Sequence, residues 1–139
     1  MEIKDILLII LPIASSYLTY FFTSKAKKNE SIIKFKEEKY SNLIISLQGF
    51  TGNTVSVERK VKFFEEQYKS WLYSSDSVVL AINRLIKLLI EEEGKAPNPI
   101  KGKQLVGEVI LAMRKDLMGK TKLTPNDFGY TSVMNRPKN

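Results

Sequence analysis

The apolar positions of this chain change their spacing along its length, and each change marks a new element. From Ile6 to Phe22 the residues carry no charge and are nearly all apolar, with Ser15, Ser16 and Thr19 as mild exceptions. Extended to Ser24, the segment covers about 19 residues, within the roughly 17–25 that span a bilayer as a helix. Ser and Thr can bond to the preceding turn of their own helix, and Pro12 kinks or relaxes one turn; lipid tolerates both. Over 31–48 the pattern turns helical and one-sided. Ile32, Phe35, Lys39, Leu43 and Leu47 fall near one face, with Ile33, Tyr40 and Ile44 beside them. Nothing between Pro12 and Gln48 breaks a helix, so the first helix can run on as a stalk. Gly49, Gly52 and Asn53 then mark a turn.

Val57, Val61, Phe64, Tyr68 and Trp71 follow at spacings of 4, 3, 4 and 3, with Leu72 adjoining. This is a narrow apolar seam of coiled-coil type. Ser74, Ser75, Asp76 and Ser77 supply N-cap residues for the next helix. That helix carries Val78, Ile82, Leu85 and Leu89, widened by Val79 and Ile86, and Gly94 ends it. Ala96-Pro97-Asn98-Pro99 reads as a loop, since neither proline suits a helix interior. A last long helix covers about 103–118, with Leu105, Val109, Ala112 and Met113 on its face and Gly119 as C-cap. Thr124-Pro125-Asn126-Asp127 predicts one short helical turn, with threonine as N-cap and proline in the first turn. The tail from Tyr130 is read as loose. Several amphipathic helices joined by short loops imply an all-α fold: an N-terminal transmembrane helix continuing into, or followed by, a small antiparallel bundle. The expected parts are an anchor with its basic flank (1–28), a helical domain (29–123) and a short turn with a tail (124–139).

Charge sharpens the placement. The formal net charge is +7. Lys25, Lys27 and Lys28 directly follow Tyr17, Tyr20, Phe21 and Phe22, the order of aromatic belt and then lysines found at a membrane–water interface. The positive-inside rule then puts the C-terminal domain in the cytoplasm, with the N-terminus outside. A cleaved signal peptide fits less well, because Glu2 and Asp5 precede the apolar run and no small-x-small site ends it. A buried helix of a soluble bundle is the other alternative, against which the all-round apolarity speaks. The second concentration of basic residues lies from Lys95 onward. Anionic lipid headgroups suit such a surface beside an anchor, and no nucleic-acid-binding signature accompanies it.

There is no cysteine and no histidine. Thiolate nucleophiles, disulfides and thiolate metal sites are therefore excluded, and the usual general base near neutral pH is missing. Neither enzymatic activity nor a cofactor is expected. Glu91, Glu92 and Glu93 point about 100° apart around a helix and cannot converge on one metal ion. An enzyme of carboxylates and Arg/Lys alone would need Asp76, Asp116 or Asp127 to meet in a pocket. Six residues are candidates for interaction: Trp71, Tyr73, Asp76, Arg114, Lys115 and Asp116. Trp71, with Tyr68, Leu72 and Tyr73 near it, reads first as core packing and second as an anchor for a protein partner. Asp76 reads first as a helix cap. Arg114, Lys115 and Asp116 form a charged helix end or a polar contact surface. Asp116 opposes the helix dipole there and calls for a partner, either Arg114 or a loop amide.

The stretches KSWLYSSDSVVLAINRL (69–85) and GEVILAMRKDLMGKTKLTPNDFGY (107–130) resemble a group of small, uncharacterised bacterial proteins with a single N-terminal membrane helix and a helical cytoplasmic domain. The resemblance implies the same placement and brings no known activity. The expected function is a membrane-tethered interaction or scaffolding module at the inner face of a bacterial membrane, acting on an unknown protein partner or on itself. The alternative is a small membrane-perturbing effector, of toxin or phage-defence type, that oligomerises in the bilayer.

Overall fold

In the computed structural model the described residues are 3–50, 56–96 and 98–129, with side chains from Ile10 onward. They form four α-helices and no strand: α1 (Ile3–Leu47), α2 (Val57–Ser70), α3 (Asp76–Glu91) and α4 (Pro99–Met118). Two 3₁₀ turns, Gln48–Phe50 and Pro125–Asp127, follow α1 and α4. The all-α bundle expected from the periodicity is therefore present. The expected turn residues Gly52 and Asn53 and the tail from Tyr130 lie outside the described residues.

The chain divides between Phe35 and Lys36 into two compact units, and α1 contributes to both. In the first unit every described side chain from Ile10 to Phe35 is exposed. Pro12 sits inside the helix. The Ser15 hydroxyl donates to the Pro12 carbonyl at 2.9 Å and the Thr19 hydroxyl to the Ser15 carbonyl at 2.8 Å, so these polar groups are satisfied by their own helix. Among the described residues no helix is long and apolar enough to cross a membrane. The backbone of the apolar run is described throughout, and its side chains from Ile10.

The second unit holds the core. Tyr40, Leu43 and Leu47 from α1 meet Phe63 from α2, Val78, Ala81, Ile82 and Leu85 from α3, and Val109, Ala112 and Met113 from α4. The buried face of α1 thus starts at Tyr40. Ile32, Ile33 and Phe35, expected on that face, are exposed, and they fall in the first unit rather than in the one that holds the core.

Local chemistry explains the helix ends. Ser56 caps α2, its side chain accepting from the Arg59 amide. The start of α3 needs a correction: Ser75 is the N-cap, and Asp76 stands one residue inside, exposed in the first turn, where its charge complements the dipole without capping. The start of α4 needs another. Asn98 caps it, its side-chain oxygen accepting from the Lys101 amide at 3.2 Å, and Pro99 opens the helix rather than belonging to the loop. A proline there forfeits no hydrogen bond, since the first amides have no intrahelical partner. Gly119 ends α4 with φ +81°, a conformation that glycine adopts without strain. The expected turn at Thr124–Asp127 is present, with the Asp127 carboxylate accepting from both the amide and the hydroxyl of Thr124 at 2.8 Å. It packs against Gly107 of α4, where an added Cβ would stand 2.9 Å from the Pro125 carbonyl oxygen.

Candidate interaction surface

α2 is the anomalous helix. At 100° per residue, Val57, Val61, Phe64, Tyr68, Trp71 and Leu72 fall within roughly 100° of arc. All six are exposed, Tyr68 to 74%, Trp71 to 59% and Leu72 to 88%. The residues that α2 buries are Phe63, Glu66, Gln67 and Ser70, on a face roughly 140° away. Trp71, whose first reading was core packing, lies instead at the C-terminal end of the seam, on the surface.

The inner face is anchored by one ring. Phe63 is wholly buried and meets Phe50 edge-on at 5.2 Å, while Phe50 also reaches Phe64 at 6.0 Å. The polar groups beside it are partly satisfied. Ser70 donates to the Gln67 carbonyl at 2.6 Å, and Glu66 Oε1 pairs with Lys69 Nζ at 3.0 Å. Glu66 Oε2 is buried with no hydrogen-bond partner among the described residues. The doublet Phe63-Phe64 was the missed signal: it makes both faces of α2 apolar at one level, and the core takes Phe63.

A polar tie fixes the frame on which α2 sits. Asp116 Oδ2 accepts from Lys36 Nζ at 2.9 Å and from the Tyr40 hydroxyl, so α4 is tied to α1. The Ser75 backbone, at the start of α3, also favours the charged form of this carboxylate. The partner of Asp116 is therefore not Arg114; a lysine and a tyrosine from α1 take that place. Burial raises the Asp116 pKa, but the hydrogen bonds from Tyr40 and Lys36, the Lys36 charge and the Ser75 backbone outweigh it and hold the carboxyl below its ordinary value. Burial, and then the bond to Asp116, pushes the Tyr40 phenol far up. Tyr73, half-buried with its ring 5.9 Å from that of Tyr40, is pushed up to about 12 by burial and by the charge of Glu66.

The remaining candidates stand apart from this tie. Arg114 and Lys115 are exposed and line an open concavity with Gly119, Lys120, Thr121 and Lys122, an anion-attracting surface. Asp76 is exposed, Asp127 is committed to its own turn, and Asp116 is largely buried in its tie to α1. Among the described residues no group of three carboxylates could hold a metal ion. In the first unit Tyr17, Tyr20, Phe21, Phe22, Lys25, Lys27 and Lys28 are all exposed. No family model, no curated protein and no solved structure matches the chain.

Proposed function

We propose that this chain is a membrane-tethered, non-enzymatic interaction module on the cytoplasmic side of a bacterial membrane. The observation that carries it is the inverted α2, which buries polar groups and presents its apolar seam outward. A contiguous row of exposed Val, Phe, Tyr, Trp and Leu marks an interaction surface rather than a resting one. Its aromatic members are the residue types that dominate binding energy at interfaces. The tether is supported by the uncharged run Ile6–Phe22, by the bare apolar side chains from Ile10 to Phe22, and by the Lys25, Lys27 and Lys28 collar. The basic concavity around Arg114 and Lys115 suits anionic headgroups.

The test is fractionation of cells expressing the full chain, with an alkaline carbonate wash and protease added from each side of the membrane. The expected result is a chain retained in washed membranes with its C-terminal domain protected from outside. A chain released by the wash overturns the tether.

One observation favours a second reading, an effector that oligomerises within the bilayer. Ser15, Ser16, Thr19 and Thr23 share one face of α1 with Pro12, and small polar residues let membrane helices approach closely. Replacing Ser15 and Ser16 by Leu disables such an effector and spares a tether.

A further inference from the structure

We infer that the occupant of the α2 seam is the α2 seam of a second copy of this chain, running parallel to the first. The inference rests on the tethered reading and names its partner. The 4, 3, 4, 3 spacing assigns Val57, Phe64 and Trp71 to the d positions of a heptad and Val61 and Tyr68 to the a positions. Lys60 is then a g residue, and Glu58 and Glu65 are e residues. The wheel agrees, placing Lys60 at one border of the seam and the two glutamates at the other.

Charge selects the partner and the direction. In a parallel pair each g residue faces the e residue five positions on in the other helix. Lys60 therefore meets Glu65 of the second copy, and symmetry makes the pair twice. An antiparallel pair centred on Phe64 sets Glu65 against its own counterpart and leaves Lys60 opposite Gln67. Only the parallel arrangement joins opposite charges on both sides of the seam. Glu65 is exposed, and Lys60 is half-exposed with its ammonium 5.5 Å from the Phe50 ring, so both stand at the surface where a partner would reach them. Anchors in one membrane raise the local concentration of seams, which two heptads need to pair.

The absence of cysteine makes the test clean. Val57→Cys and Tyr68→Cys are introduced singly into the full chain, with Lys62→Cys, on the exposed flank, as control. Membranes carrying each variant are oxidised, and covalent dimers are measured. The inference expects like-to-like dimers from Val57→Cys and from Tyr68→Cys, and none above background from Lys62→Cys. Lys60→Glu in either seam variant should lower the dimer yield roughly three- to tenfold, and adding Glu65→Lys should restore it. Cross-links that form only between mixed Val61→Cys and Tyr68→Cys copies overturn the parallel pair. A chain retained in washed membranes that gives no seam cross-link overturns self-association and leaves the tether standing. A chain released by the wash removes the tether, and the cross-links, read on the released protein, still decide the pairing.

Discussion

Helices α2 and α3 are neighbours in the chain, share the 4, 3, 4 spacing of apolar residues, and bury opposite kinds of surface. α3 turns its stripe inward: Val78, Ala81, Ile82, Leu85 and Leu88 are all buried. α2 turns its stripe outward and buries Glu66, Gln67 and Ser70 beside a single Phe63. Periodicity establishes that a helix has an apolar face. It does not establish whose surface covers that face. The core that α3 fills is shared with α1 and α4 of the same chain. α2 gives that core one phenyl ring, Phe63, and its seam stays exposed.

The largest expected effect sharpens this contrast directly. Leu85→Ala in α3 removes a side chain that is 3% exposed and should cost about 2–5 kcal/mol of stability. Val61→Ala in α2 removes one that is 53% exposed and should change stability by no more than about 0.5 kcal/mol. Chemical denaturation of both variants in detergent solution at low protein concentration makes the comparison. Equal losses would mean that the seam is covered within one folded chain, and the inverted α2 would be lost with them.

A smaller effect is expected at the tie that holds the frame of α2. Asp116→Asn keeps the shape and removes the charge that Lys36 and Tyr40 bind, at a cost of about 1–3 kcal/mol. The sign with pH follows from the direction of the shift. The folded carboxyl is held below its ordinary value of 3.8, so its contribution is complete above that pH and lost as pH falls through the lowered value. Acid unfolding followed by circular dichroism should therefore be shallower below about pH 4 in Asp116→Asn than in the parent. Identical acid limbs would show that Asp116 is not tied.

Much of the fold was legible in the sequence because it depends on local chemistry. Gly119 and Thr124–Asp127 mark ends that the backbone must satisfy wherever the helices pack. Pro99 was misread because a proline after a loop and a proline opening a helix look alike until Asn98 is seen to cap. The interaction surface was half legible. The seam and Trp71 were visible as a pattern, but their exposure depends on Phe63 outcompeting them for the core, a decision made by the shape of three other helices. The partners of Asp116 were illegible for a different reason. Lys36 lies 80 residues away in the chain, and no spacing rule reaches that far.

The smallest effect at neutral pH is expected from Tyr73, and it tests the inner face of α2 from the other side. Tyr73→Phe keeps the ring that packs 5.9 Å from Tyr40, so stability at pH 7 should move by less than about 1 kcal/mol. The difference emerges in alkali. Burial, followed by the Glu66 charge, raises the folded phenol from 10.0 to about 12. The folded chain then holds this proton more tightly than the unfolded chain does. Its contribution is complete below the unfolded value near 10 and lost as pH rises through about 12. Between those limits the parent should lose stability more steeply than Tyr73→Phe, with tyrosinate absorbance and circular dichroism recorded on the same samples. A Tyr73 that titrates near 10 would mean that its hydroxyl faces water and is not buried beside Glu66.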